Sequence, residues 1–238
     1  MNNRSRWLVE LRSAMAVLLL AAVAGSGPGY AQELGPLGPL AADGRVAYFI
    51  APPAPGSAYR DGDADLAVWA LHAWERAAGG ALTFVRVDRA EDALVRVYWA
   101  PPGAGQYGEM VPLDVHRKRG AAVFVRPETN AFGPEIASRA AADSLFRDTI
   151  VYLTCVHELG HALGLRHTDR FEDIMYFFGF GGDIPEFFGR YRRQLHERGD
   201  IANAAGISTG DLVQLRSLYA VPLQAAVGKL ELSETKGL

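Results

Sequence analysis

Three of the six histidines in this sequence fall within one stretch of eleven residues, HELGHALGLRH, which begins at His157. On a helix, positions i and i+4 share a face, so His157 and His161 can present both imidazoles to one ion. Glu158 can reach a water beside such an ion without being a ligand itself. Gly164 can adopt a positive φ and end the helix, after which the chain turns back to offer His167 as a third ligand. Three protein nitrogens that leave a fourth position open are typical of catalytic rather than structural zinc.

The alternative interpretation of this stretch is three ordinary histidines, either exposed to solvent or satisfied in the core. The apolar helix on which the motif stands favours the metal site. Met175 lies eight residues beyond His167, which is the spacing of a Met-turn, although it could also be an ordinary core methionine.

With these residues in place, the chain resembles the metzincin zinc endopeptidases, and the step from His167 to Met175 is similar to the matrixin branch. The segments LAVWALHAWERAAGGALTF, DALVRVYW and ISTGDLVQLRSLY also resemble a first helix, a strand and a closing helix of matrixins. The resemblance implies that His157, His161 and His167 bind one catalytic Zn²⁺. It implies that Glu158 is the general base, that Met175 lies under the zinc, and that the substrate is a protein or peptide. The implied fold is an α+β metzincin-like catalytic domain, with a mixed twisted sheet, a first helix, an active-site helix and a C-terminal helix.

The sequence departs from the matrixin pattern in several places. Matrixins usually have proline two residues after the Met-turn methionine, where this chain has Phe177, and this puts the wall of the specificity pocket in question. Tyr176 stands one residue too early to match the tyrosine ligand of astacins and serralysins, so it is not assigned to zinc. His116 stands alone where a second, structural zinc site would need a cluster. Residues 176–206 resemble an insertion.

The N-terminal residues have the layout of a signal peptide. A positive region with three arginines precedes an apolar run from Ala14 to Ala24, which is too short to span a bilayer, and small residues precede a cleavage point after Ala31. An uncleaved membrane anchor is the alternative. We therefore expect a secreted or periplasmic protein that has no membrane contact after cleavage. We also expect a bacterial-type matrixin without a long propeptide. The predicted segments are 1–31 signal peptide, 32–44 leader, 45–220 catalytic domain and 221–238 C-terminal tail.

Hydrophobic periodicity places the elements that must position the motif. A helix is predicted from about Asp143 to Gly164, and a capping box at Ser208 opens a last helix. Ala121–Val125 is a short apolar strand and is our candidate for an edge strand that pairs with extended substrate. Residues 128–142 show no clear pattern. The other predicted elements are a strand over Arg45–Ile50, a helix from Leu66 to Ala77 that ends at Gly79, strands near 82–87 and 95–99, and a helix near Pro185–Arg198.

Composition excludes several classes of protein. The chain has 238 residues, of which 49% are hydrophobic and 21% charged, as in an ordinary globular domain rather than a disordered one. The net charge is -3 and no Lys/Arg-rich run occurs, which argues against a nucleic-acid partner. A single cysteine, Cys155, forms no internal disulfide and is interpreted as a buried hydrophobe. The acidic run at Asp61, Asp63 and Asp65 is an acidic helix start rather than a calcium loop, so a structural calcium has no support.

Three functions agree with these residues. The first is an exported, monomeric zinc endopeptidase that uses a zinc-activated water and Glu158 as the base. The second is a zinc-holding binding module with little or no turnover, which would not need Glu158 beside the open position. The third is a peptidase restricted to short peptides, since the depth of the cleft depends on residues 176–206. The phenylalanines of that segment, Phe177, Phe178, Phe180, Phe187 and Phe188, either belong to the core or line the cleft.

Overall fold

A computed structural model describes residues 38–40, 43–102 and 107–219. The predicted signal peptide and C-terminal tail lie outside the described residues, as does most of the predicted leader. The described residues belong to one compact unit. None of the helices among them is both long enough and apolar enough to cross a membrane.

Five strands form one mixed sheet in the order β2-β1-β3-β5-β4. The pairs β1–β2, β1–β3 and β3–β5 are parallel, whereas β4 runs antiparallel to β5. With helices packed on this sheet, the fold is α+β, as the sequence predicted. The strands are β1 Arg45–Ile50, β2 Thr83–Arg86, β3 Val95–Trp99, β4 Gly108–Val115 and β5 Lys118–Val125.

The predicted edge strand is wrong. Ala121–Val125 lies inside β5, which is bonded on both sides, to β3 and to β4. Its nearly continuous apolar sequence is typical of a strand covered on both faces. Among the described strands, β4 is the outermost strand on this side of the sheet, and its residues GEMVPLDV carry two acids and a proline that hide the strand pattern. Proline and charged side chains are the usual marks of a strand at the edge of a sheet.

Five α-helices accompany the sheet among the described residues. Helix α2 covers most of the stretch for which the sequence showed no pattern, and α4 is shorter than the predicted helix near Pro185–Arg198 because it ends at Arg192. The first, third and last helices lie where they were predicted. The helices are α1 Asp63–Ala77, α2 Pro134–Ala142, α3 Ser144–Leu163, α4 Ile184–Arg192 and α5 Thr209–Leu218.

Helix α3 carries His157, Glu158 and His161 of the motif, and its two ends are defined by a capping side chain and by a glycine. The Asp143 carboxylate accepts hydrogen bonds from the amides of Leu145 and Phe146 at 3.0 and 3.1 Å, which caps the N-terminus. Gly164 ends the helix in the left-handed region, with φ of 103°. Trp74 of α1 donates its indole N–H to the carbonyl of Val156 at 2.9 Å, so the two helices are fixed side by side.

The start of α1 is acidic, as the sequence predicted. Asp63 and Asp65 lie in its first turn. Asp63 is buried and forms a bidentate ion pair with the equally buried Arg147 of α3, with one bond at 2.8 Å. The Asp63 carboxylate therefore joins two helices rather than standing free to bind a cation.

The Tyr219 side chain forms a hydrogen bond at the C-terminal end of α3. The Tyr219 hydroxyl donates to the carbonyl of Leu163 at 2.9 Å and accepts the amide of Leu40 at 2.9 Å. This end of the ligand-bearing helix is thus tied to residues from both ends of the described chain.

Candidate metal centre

The three histidines of the motif converge on one point. The Nε2 atom of His167 lies 3.3 Å from Nε2 of His157 and 3.0 Å from Nε2 of His161. The potential ligand atoms of all three lie within 4.8 Å of one another. Helix α3 brings His157 and His161 onto one face, and the turn at Gly164 brings His167 opposite them, as the spacing predicted.

Backbone carbonyls fix the orientation of the two helical imidazoles. His157 Nδ1 lies 2.7 Å from the carbonyl oxygen of Ile174, and His161 Nδ1 lies 3.0 Å from that of Leu165. Because a carbonyl only accepts, Nδ1 carries the proton and donates it. The lone pair of each Nε2 therefore points into the cluster, which is the usual arrangement of metal-ligating histidines.

The electrostatics of the cluster keep these imidazoles neutral. Burial, followed by the neighbouring His161, lowers the pKa of His157 to about 3. Burial, followed by His167, lowers the pKa of His161 to about 4. Neutral imidazole is the form that binds a metal ion, and facing lone pairs at this distance favour a cation between them.

The spacing of the donors fits zinc. Nitrogen ligands lie about 2.0–2.1 Å from Zn²⁺, so two of them at a tetrahedral angle are about 3.3–3.4 Å apart. The observed separations of 3.0 and 3.3 Å are close to this value. Three imidazole ligands leave one position of a tetrahedral zinc site open.

Met175 lies directly beside the helix that bears the ligands. It is fully buried, and a Cβ on Gly160 would lie only 2.5 Å from its sulfur, so the methionine packs on the bare backbone next to His161. The Asp211 carboxylate accepts the amides of Ile174 and Met175 at 2.9 and 3.3 Å and so holds the turn to α5. The sequence marked Asp211 only as part of a capping box, since nothing local indicates its contact with this turn.

Glu158 directly follows His157 on α3, and its side chain lies against Gly108, the first residue of β4. Its side chain is buried, and a Cβ on Gly108 would lie 2.4 Å from Glu158 Oε1. Burial, followed by the negative charge of Glu109, raises the pKa of Glu158 to about 8. Gly108 therefore provides the space for this carboxylate, a role that the sequence alone did not indicate.

Comparison with known proteins agrees with this geometry. A sequence model of the matrixin family of peptidases matches residues 45–180, which is more than half of the chain. The chain belongs to the matrixin family. It is also similar to macrophage metalloelastase of Rattus norvegicus, at 35% identity over 79 residues. That match covers 33% of this chain and 13% of the rat protein, so the chain corresponds to a small part of this relative.

Family membership supports a zinc-dependent metalloendopeptidase, because matrixins bind zinc and hydrolyse peptide bonds. The mixed sheet with its accompanying helices is consistent with an α+β matrixin catalytic domain. The family match ends at residue 180, so it does not cover most of the segment that the sequence marked as an insertion.

The aromatic residues of this matrixin divide between core and site. Phe187 and Phe188 are buried in the core. Phe177, which replaces the usual proline, stacks on His167 with ring centroids 4.9 Å apart and planes inclined by 28°. Phe180, 63% exposed, packs its edge on Phe177 at 5.7 Å. The core interpretation is therefore confirmed for Phe187 and Phe188, whereas Phe177 lies beside the ligand candidate His167 and the cleft interpretation stays a prediction.

The remaining residues singled out from the sequence are Tyr176, His116 and Cys155. Tyr176 is buried and donates its hydroxyl to the carbonyl of Gly181 at 3.0 Å, in agreement with its exclusion as a ligand. His116 is exposed in the turn between β4 and β5. Cys155 is buried, and burial raises the pKa of its thiol, so it behaves as a small hydrophobe.

Proposed function

We propose that this matrixin is an exported zinc-dependent endopeptidase that hydrolyses peptide bonds in proteins or peptides. The proposal rests on the convergence of three histidine Nε2 atoms and on the neighbouring Glu158, whose side chain is buried against the first residue of β4. A binding module would need the histidines but would gain nothing from Glu158, whose burial without a use is unfavourable.

In this proposal His157, His161 and His167 hold one zinc ion. Zinc at this position supplies a Lewis acid for the scissile carbonyl and lowers the pKa of a water to about 7. The carbonyls of Ile174 and Leu165 support the proposal, because they set the tautomer that leaves Nε2 free. Met175 packs on the backbone of α3 at Gly160, and this contact holds the helix in place relative to the Met-turn.

Glu158 acts as the general base. Its carboxylate accepts a proton as water attacks the peptide carbonyl and then donates that proton to the leaving amine. Burial against Gly108 supports this role, because a partly desolvated carboxylate binds a proton more readily than an exposed one. Transfer of this kind contributes about 10²–10⁴-fold to the rate in enzymes that use it.

Extended substrate pairs with the free edge of β4. This replaces the predicted pairing with Ala121–Val125, which lies in the interior of the sheet. Gly108 opens β4 and contacts Glu158, so a peptide along this edge passes the base. Backbone pairing supplies affinity in this mode, and side-chain contacts supply selectivity.

The test is metal analysis together with a peptide-library cleavage assay. Wild-type protein is expected to hold one zinc per chain and to cleave peptides internally. Glu158→Gln is expected to keep zinc and to lose about 10²-fold or more in rate, because the amide cannot accept the proton. Glu135→Gln, which changes an exposed glutamate at the start of α2, is the matched control.

Each result has a defined meaning. A Glu158→Gln rate within a few-fold of wild type, with zinc bound, would show that the base lies elsewhere. A zinc-loaded wild type that cleaves no peptide would favour the binding module, and cleavage only of short peptides or at chain ends would favour the restricted peptidase. We further propose a secreted or periplasmic monomer without membrane contact, which fractionation and light scattering would test.

A further inference from the structure

The register of β4 determines which of its backbone groups face outward. In the part of the chain that the structure describes, β4 is bonded to β5 on one side only. The amide of Arg126 donates to the carbonyl of Tyr107 at 2.8 Å, so odd-numbered residues of this strand point their N–H and C=O groups toward β5. On β5, Ala121 donates to Leu94 at 2.7 Å on the opposite side, which agrees with the same alternation. Even-numbered residues of β4 therefore face the free edge.

The outward-facing positions are Gly108, Met110, Pro112 and Asp114. Gly108 and Met110 each offer one donor and one acceptor to a neighbouring strand. Pro112 offers only its carbonyl, and its ring occupies the place where an amide hydrogen would point. A continuous ladder of hydrogen bonds along this edge must therefore stop at Pro112.

We propose that Pro112 limits how much of a substrate this peptidase reads through backbone pairing. The inference rests on the proposed function and adds to it the extent of the recognised segment. Peptide paired with Gly108 and Met110 is held by a complete set of strand hydrogen bonds, whereas peptide beyond Met110 is not.

The position of Glu158 determines on which side of the scissile bond this limit applies. Gly108 touches the base, so the scissile bond lies at the Gly108 end of β4. In antiparallel pairing, the more stable arrangement, residues on the N-terminal side of the scissile bond then run from Gly108 toward Pro112. Only every second residue of β4 faces the substrate, so pairing with Gly108 and Met110 covers about three substrate residues on that side.

Proline at a sheet edge can also serve only to prevent association between edges. The two roles differ in what they predict. A purely protective proline affects self-association and leaves the dependence of cleavage on peptide length unchanged. A proline that ends substrate pairing changes that length dependence at one defined position.

The experiment uses a cleavable peptide extended one residue at a time on the N-terminal side of the scissile bond. In wild type, kcat/KM is expected to rise up to about the third residue and then to level off. In Pro112→Val, which restores an N–H group, it is expected to rise further, by about 3- to 10-fold by the fifth residue. Extension on the C-terminal side is the control and should give the same series in both proteins.

A second variant tests the inference from the other direction. Met110→Pro removes an outward N–H and breaks no bond to β5, so its plateau is expected to begin about two residues earlier. The shortest peptide, which reaches neither Met110 nor Pro112, reports whether each variant keeps an intact site.

The outcomes separate this inference from the proposed function. Failure of wild type to cleave any peptide would overturn the proposed function itself. A wild type that cleaves peptides but gains steadily through the fifth residue would overturn only the limit at Pro112. The limit would also be wrong if Pro112→Val keeps the wild-type plateau, whether or not this variant self-associates.

Discussion

Substitution of Gly108 by alanine is expected to displace the catalytic base without removing the metal. A Cβ at this position would lie 2.4 Å from Oε1, 2.5 Å from Cγ and 2.7 Å from Cδ of Glu158. Ordinary contacts between such atoms begin at about 3.5 Å, so the Glu158 carboxylate must move by about 1 Å. The atoms that must move belong to one flexible side chain, so the fold should survive.

The expected loss in kcat/KM follows from this displacement of the carboxylate. Misplacement of a reacting group by about 1 Å can cost about 10²-fold in rate, and complete loss of a general base costs about 10²–10⁴-fold. We therefore expect Gly108→Ala to lower kcat/KM by about 10²-fold, with zinc content and melting temperature close to wild type. The assay is hydrolysis of a fluorogenic peptide, with metal content measured on the same samples.

Two controls make the result specific to Glu158. Gly199→Ala introduces a Cβ whose nearest neighbour is 3.7 Å away, so it should leave the rate unchanged. In a Glu158→Gln background, Gly108→Ala should cause little further loss, because both changes act through one side chain. A Gly108→Ala rate within a few-fold of wild type, with zinc fully bound, would refute the reasoning.

Three further predictions concern the metal site and the N-terminus. His161→Ala is expected to lose zinc, and undiminished zinc in metal analysis of that variant would contradict the assignment of ligands. Phe177→Leu is expected to weaken zinc binding by about 2- to 12-fold in a chelator competition, because the stacking on His167 is lost, whereas Phe177→Tyr should bind as wild type does. Equal weakening in both variants would mean that the ring does not act by stacking. The exported protein is expected to begin near Gln32, and N-terminal sequencing that finds an intact Met1 would count against cleavage.

The parts of the site that the sequence could predict are those fixed by local spacing. Helix α3 was located to within a residue at each end because Asp143 and Gly164 are local signals for its start and end. The same holds for the three histidines, whose positions on a helix and after its turn follow from helical geometry.

Features that depend on distant parts of the chain were out of reach. Gly108 contacts Glu158 across fifty positions in sequence, and no pattern near either residue indicates that contact. Strand β4 was missed because Pro112 interrupts the strand pattern in the sequence. The structure tolerates this proline because it faces the free edge, where its missing N–H breaks no bond to β5. Helix α2 has only Ile136 and Ala140 buried, too short a repeat to establish a helical period.

The Tyr219 hydroxyl has a consequence for the order in which the domain folds. It accepts a hydrogen bond from Leu40, which lies 179 positions earlier in the chain, and donates one to the carbonyl of Leu163. Closing so long a loop is entropically unfavourable until the chain between has collapsed. This contact is therefore expected to form late, after the sheet and the pairing of α1 with α3. The last step of folding then secures the helix end that lies beside His161, so a newly made chain would acquire its full affinity for zinc only when both ends of the described domain have docked.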